Sequence, residues 1–403
     1  MKVYLKTILI TIFLLSSSFQ IFAQENDNEN NNYKNIPIIQ NKARFGMVIN
    51  NYLNMDSFPQ RKVCFINEFY VGSKTMGNKF WHQYYNFPEV GVSLFTGSLG
   101  NKRQLGNVVS LIPNMTFTSN RINNNFRLSL GVGVAYFNKP FNSITNEYNI
   151  LVGSKITGMA FFSLNYQKLI TKKLNFIISA SLIHASNGHV QVPNAGMNIV
   201  TGDIGLKYYF NENIQKEKIT NNYKNKKNNK YFNLNFKIGI GVHEFAQTIG
   251  PVGTPKHNIY TGAIFLSKRL GLVNKIYFGF NGKYYTDFYN FIDTANYYVD
   301  NYHLKSSIFT SFVGIEFIIG QFALFGQAGY NFYTPLRKKR LYKNIENIKF
   351  FHISELYIST RGGLKYYLLD VNKYKHNNIF IAVAIKANFG QADFPEISIG
   401  YVF

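Results

Sequence analysis

The sequence predicts an all-β fold: an antiparallel transmembrane β-barrel of about fourteen strands, within a range of twelve to sixteen. Two observations predict it. Segment after segment alternates apolar and polar residues with period 2, over about ten residues or more, the length a tilted strand needs to cross a bilayer. Aromatic residues make up 17% of the chain and gather at segment ends, as at Tyr208, Tyr209 and Phe210 or Tyr284 and Tyr285, where a barrel carries its interfacial girdle. A soluble sandwich also alternates, and the segment lengths and aromatic ends favour the membrane.

The elements follow in order. Lys2 and Lys6, the apolar run Ile8 to Leu15, and the small residues Ser16 to Ser18 and Ala23 read as a signal peptide over 1–23. A polar leader, expected to be disordered, covers 24–42, and a single outer-membrane barrel domain is expected over 43–403. Its fourteen strands are expected near 88–97, 105–119, 124–138, 158–169, 173–186, 200–210, 231–244, 259–270, 273–287, 306–319, 322–332, 354–368, 378–389 and 392–403. A further pair in 43–50 and 62–72 would give sixteen. Short turns at 120–123, 170–172, 271–272 and 320–321 fall on one side, expected to be periplasmic. Long loops at 139–157, 187–199, 245–258, 288–305 and 333–353 fall on the other. The Lys- and Asn-rich connection 211–230 is the misfit, a long segment on the short-turn side. The last strand, Ile397 to Phe403, alternates and ends in Phe, resembling the assembly signal of bacterial outer-membrane barrels.

Composition closes off other classes. Lys and Arg number 43 against 20 Asp and Glu, a formal charge of +23, yet charged residues are only 16% of the chain. So many aromatics with so little charge exclude a disordered chain. One cysteine, Cys64, excludes an internal disulfide and a cysteine-based zinc site. Nucleic acid is not an expected partner of a chain in the outer membrane, whatever its charge. The basic run Arg337 to Arg340 lies in a predicted external loop, where it could attract lipid phosphates.

One segment carries chemistry. In 173–186 the even positions Leu174, Phe176, Ile178, Ala180 and Leu182 are the more apolar and should face lipid, which puts His184 and Ser186 on the lipid side at the external end. Two residues apart on a strand, they share a face about 6.6 Å apart along it, within reach of leaning side chains. A base beside a hydroxyl is the arrangement of acyl transfer. His189 beside His184 suggests a metal pair, but no third ligand is near, and neither metal nor cofactor is expected. His243-Glu244 reads as a lumen or rim pair at another strand end.

His184-x-Ser186-Asn187, then Pro193-Asn194-x-Gly196, resembles the lipid A 3-O-deacylase (PagL-type) family of outer-membrane barrel esterases. Looser likenesses extend over 88–210, as at Pro88-Glu-Val-Gly-Val and Gly131 to Pro140. The resemblance implies removal of an ester-linked 3-hydroxyacyl chain from lipid A of lipopolysaccharide, with Ser186 as nucleophile and His184 as base. It also implies Asn187 as oxyanion donor, with Gly188, Pro193, Asn194 and Gly196 completing the motif. Where the deacylase pattern places an orienting Glu, this chain has Asn198. In that respect it is similar to outer-membrane phospholipase A, whose His-x-Ser-Asn-Gly is followed at the same spacing by Asn. That alternative implies a phospholipid substrate and calcium. Asp203, Asp393 and Glu396 are other candidates to orient the His. The rival of another class is a non-catalytic barrel or porin, with the inward-pointing Arg127 and Phe380 bearing on whether the lumen is filled.

Overall fold

The computed structural model describes residues 34–49, 62–77, 79–119, 125–211, 231–246, 248, 250–344, 349–374 and 376–403. The expected signal peptide and residues 24–33 of the leader lie outside them. All fourteen expected strands are present, together with the further pair, now β1 (Ile36–Ile49) and β2 (Cys64–Lys74). They are followed by β3 (Glu89–Ser98), β4 (Asn107–Thr118), β5 (Phe126–Phe137), β6 (Ile156–Leu169), β7 (Leu174–Ser186) and β8 (Met197–Tyr209). Then come β9 (Asn233–Glu244), β10 (Lys256–Leu270), β11 (Asn274–Tyr285), β12 (Ser307–Ile319), β13 (Phe322–Tyr333), β14 (Ile358–Tyr367), β15 (Asn378–Asn388) and β16 (Gln391–Val402).

The sixteen strands do not form one wall. β8 pairs back onto β1, from Ile38 opposite Tyr209 to Ile49 opposite Asn198, and closes an eight-stranded antiparallel barrel. β9 pairs with β16, from Gly241 opposite Glu396 to Asn235 opposite Val402, and closes a second barrel of eight. The expected single barrel over 43–403 is therefore corrected to two. The misplaced connection 211–230 has its explanation here, because it links β8 of one barrel to β9 of the next and is no hairpin turn.

The start of β1 corrects the leader. Residues 36–42 are strand, and their inward side chains include Gln40 and Lys42, with Arg44 one step further. Those polar residues disguise the alternation in sequence. In the barrel they are satisfied: Lys42 Nζ lies 3.1 Å from Glu68, and Arg44 bonds Glu68 on one side and Asp203 on the other, at 2.7 Å.

Both lumens are filled, as eight strands leave an interior just wide enough for side chains. In the first, Glu89 gathers Arg127, Lys207 (2.6 Å) and the Tyr209 hydroxyl (2.6 Å). In the second, Glu316 gathers Lys365 and the Tyr367 hydroxyl (2.6 Å), and Glu396 gathers Lys237 and Arg361 (2.9 Å). Arg127 and Phe380 both point inward. The outer faces are apolar, as at Leu234, Phe236, Ile238 and Ile240 on β9 and Ile379, Ile381, Val383 and Ile385 on β15. Polar inside and apolar outside is the pattern of a transmembrane barrel.

One barrel end carries the turns at 170–173, 271–273 and 320–321 and the helix α1 (Phe80–Tyr84), while the two-residue turn 389–390 lies at the opposite end. The other carries the long loops, two of which hold helices: α2 (Thr286–Thr294), α3 (Tyr302–Lys305), α4 (Pro335–Asn344) and α5 (Phe350–Tyr357). The two barrels touch at both ends. At the turn end the Tyr85 hydroxyl donates to the carbonyl of Ile318 at 3.1 Å.

Candidate active site

The site begins on β7. Its even residues face outward, with Phe176, Ile178, Leu182 and His184 exposed, while Asn175, Ile177, Ser179, Ser181 and Ile183 are buried inside. The register places Asn198 of β8 directly opposite His184, and the ring Nδ1 lies 2.7 Å from Asn198 Oδ1. With the amide oriented so that its oxygen meets the ring, the oxygen accepts and Nδ1 carries the proton. Nε2 is then left with its lone pair. On the other flank, β6 sets the small residues Ala160 and Gly158 opposite His184 and Ser186. Gly196 has φ +78°, and a Cβ there would lie 3.1 Å from His184 Cε1, so both backbone and space call for glycine.

Ser186 ends the strand with its hydroxyl among donors. Its Oγ accepts from the Gly188 N–H at 3.1 Å and from Asn194 Nδ2 at 2.9 Å. Among the described contacts His184 is paired with Asn198 and not with Ser186, so the two side chains share a face without a direct hydrogen bond. The ring is held sideways, across to β8, whereas Ser186 lies along the strand. Such bonds commonly tighten only with substrate bound.

Asn187, the expected oxyanion donor, is engaged within the loop in this structure. Its N–H donates to Asn194 Oδ1 (3.2 Å), its Nδ2 donates to the Gln191 carbonyl (2.7 Å) and to Ser154 Oγ (3.2 Å), and its Oδ1 accepts from the His189 N–H (2.9 Å). Asn187 thus ties the loop together, and the donors that reach Ser186 are Gly188 and Asn194. Pro193 packs its carbonyl where a Cβ on Gly153 would lie, 2.4 Å away. The N–H groups of Ala195 and Gly196 donate to the carbonyls of Ile150 and Leu151 (3.0 and 3.1 Å), so the β5–β6 loop braces the site. Neither Ser154 nor Gly153 stands out in the sequence; the signal that finds them is their place in a loop beside β7.

The alternative orienting carboxylates are elsewhere. Asp203 points into the first lumen toward Arg44, Ser179 and Ser181. Asp393 and Glu396 face the second lumen, Asp393 paired with Arg337 and Lys386 and Glu396 with Lys237. His189 is buried, and burial pushes its ring below the usual histidine range. Its Nε2 donates to the Ala246 carbonyl at 3.0 Å, so it turns to the second barrel and does not share the exposed face of His184. Among the described residues no trio of His, Cys, Asp or Glu is placed to hold a metal ion. In the basic run, Arg337 is committed to Asp393, which holds its guanidinium above the usual arginine range. Arg340 lies over the rings of Phe245 and Phe291, and Lys338 and Lys339 are exposed.

Fold and site together define a transmembrane β-barrel protein with Ser, His and Asn gathered at one rim. The segment that carries them matches a known family: residues 68–207, from β2 to β8, match the family model of lipid A 3-O-deacylase (PagL). The second barrel lies outside that match. No curated protein matches the chain. Solved structures it is similar to include Pseudomonas aeruginosa OccK8 (OprE), at 8% identity over 92% of this chain and 98% of that one, TM-score 0.22. CdiB from Acinetobacter baumannii matches at 8% identity over 92% of this chain and 60% of its own, TM-score 0.17. A mutant of Rh. blastica porin matches at 6% over 91% and 100%, TM-score 0.15. At such TM-scores these likenesses add nothing to the fold seen here.

Proposed function

We propose that this protein is an outer-membrane serine esterase that removes an ester-linked 3-hydroxyacyl chain from lipid A. The observation that carries the reading is the His184–Asn198 pair on the lipid-facing rim, two residues from a serine whose oxygen already meets two N–H donors. It lies inside the segment that matches the deacylase family. The rim with the long loops is then the external one, where lipid A lies.

The chemistry follows from the donors. His184 Nε2 takes the proton of Ser186 as Oγ attacks the ester carbonyl. Negative charge grows on the carbonyl oxygen, and the Gly188 N–H and Asn194 Nδ2 turn from Oγ to that oxygen. His184 returns the proton to the departing sugar hydroxyl. Water then hydrolyses the acyl-Ser186 ester by the same base and donors, releasing the fatty acid. Asn198 holds the Nδ1–H tautomer throughout, though an amide stabilises imidazolium less than a carboxylate does. Below the site the exposed Leu182, Val200 and Phe162 give the acyl chain an apolar face to lie on. Asn198 also favours a second substrate class of the same chemistry, a glycerophospholipid ester. The filled lumens weigh against a porin.

The test is hydrolysis by the purified protein. Ser186→Ala and His184→Ala should each abolish release of fatty acid from lipid A while leaving the strand signal in circular dichroism unchanged, because both side chains sit at the rim outside the packed lumen. Wild-type turnover in Ser186→Ala would remove the nucleophile.

A further inference from the structure

The second barrel has no part in the chemistry described so far, yet the loop that carries the site is bound to it. Glu244, at the end of β9, is 2% exposed. One carboxylate oxygen accepts from the Val192 N–H at 2.8 Å, and the other from the Thr254 N–H at 2.8 Å and the Thr254 hydroxyl at 3.1 Å. Its own N–H donates to the carbonyl of His189 at 3.1 Å. Two residues beyond Val192, the N–H of Asn194 donates to the Thr248 carbonyl at 2.8 Å. His189 Nε2 donates to the Ala246 carbonyl, and Gln391 of β16 bonds the Thr248 hydroxyl from behind. A Cβ on Gly188 would lie 3.0 Å from Ile385 Cδ1 and 3.2 Å from Pro395 Cδ, so β15 and β16 press on that residue too.

These contacts converge on the two donors of Ser186. Asn194 is held by Thr248 through its backbone and reaches Ser186 through its side chain. Gly188 is backed by Ile385 and Pro395. We infer that the second barrel is a built-in scaffold for the active site, with Glu244 the positioning residue that clamps loop 187–196 so that Gly188 and Asn194 aim at the reacting oxygen. The inference rests on the esterase reading. The physical case is leverage: Glu244 is a single anionic acceptor for N–H groups from both sides of the seam, and charge-assisted bonds of this kind are the stronger ones. A misplacement of about 1 Å at a reacting group can cost about 10²-fold in rate. The Asn194 donor stands two residues from the clamped N–H, so release of Val192 is transmitted to it directly.

The experiment uses the full chain in detergent micelles, as wild type, Glu244→Ala, Glu244→Gln and Gln391→Ala, and reads two things. Amide hydrogen exchange over 187–196 reports the clamp without catalysis. Turnover on purified lipid A, split into kcat and KM, reports positioning. Glu244→Ala should speed exchange at 192–196 and lower kcat by about 10²-fold, with KM within twofold, because the donors act in the transition state. Glu244→Gln keeps one acceptor oxygen and should recover part of kcat. Gln391→Ala leaves Glu244 in place, supplies a second readout should Glu244→Ala fold poorly, and should give a smaller loss in the same direction. Unchanged exchange in Glu244→Ala overturns the clamp. Faster exchange with kcat within twofold of wild type overturns the positioning role. A wild type that releases no fatty acid overturns the esterase reading instead, and the exchange data still judge the clamp.

Discussion

Asn194 is the residue whose replacement separates stability from chemistry most sharply. Its side chain is buried, donates to Ser186 Oγ at 2.9 Å and accepts from the Asn187 N–H at 3.2 Å. Asn194→Ala deletes an oxyanion donor, which typically costs about 10²–10³ in kcat, or about 2.7–4 kcal/mol. It also strands the Asn187 N–H, at a further cost of about 1–3 kcal/mol in stability. Asn194→Asp has nearly the same shape and still accepts from Asn187, so it should unfold at a temperature closer to wild type. It exchanges the donor for lone pairs, however, and sets a negative charge near the developing oxyanion. Two like charges about 4 Å apart repel by about 4 kcal/mol at an effective dielectric of about 20. Turnover should therefore fall in the order wild type, Ala, Asp, while stability falls in the order wild type, Asp, Ala. The assay is kcat and KM for fatty-acid release on one lipid ester at neutral pH, with thermal unfolding in the same detergent. Asn194→Ala within threefold of wild-type kcat, or Asn194→Asp faster than Asn194→Ala, would refute the donor role.

Two further predictions concern other parts of the molecule. Asn198→Ala should lower turnover by roughly two orders of magnitude less than loss of Ser186, since the orienting member is the least costly to remove, and Asn198→Glu should support turnover; wild-type rates in Asn198→Ala at every pH would take it out of the mechanism. The chain's one tryptophan, Trp81, stacks edge-on against His82 with ring centroids 4.2 Å apart, and burial pushes the His82 ring down to about 3. Because the folded ring resists a proton that the unfolded one accepts near 6.5, the docking of α1 is at full strength above that pH and weakens as pH falls toward 3. Trp81 emission should therefore hold from pH 7 to 5 and change near 3; a midpoint near 6.5 would show His82 to be solvated.

What the sequence reveals here is what is local. Period-2 alternation places the strands, and on β7 it turns His184 outward, because lipid and lumen sort side chains residue by residue. The His184–Asn198 pairing is legible only through the family resemblance, since the expected strand begins at 200 and leaves Asn198 in a long loop, whereas β8 starts at Met197 and sets it opposite His184. Closure is not local. Whether β8 pairs with β1 or with β9 depends on contacts across the closing seam, such as Arg44 with Asp203, 159 residues away. The one trace of it in the sequence is a long connection at 211–230 on the side of the short turns. The donors to Ser186 are half legible: Gly188 and Asn194 stand in the motif, but only the hydrogen bonds show that they reach its Oγ while Asn187 bonds within the loop. Glu244 stands out in the sequence only as a rim residue beside His243, and nothing there ties it to Val192, 52 residues away.

On the proposed function, Ser186 and His184 cut an acyl ester of lipid A at the lipid-facing rim. Mass spectrometry of lipid A incubated with the purified wild-type protein, or with Ser186→Ala, tests it most directly. A product lighter by one 3-hydroxyacyl chain, with the matching free fatty acid, is expected from the wild type alone. Lipid A of unchanged mass beside cleaved glycerophospholipid would contradict the substrate, and the same product from Ser186→Ala would contradict the site.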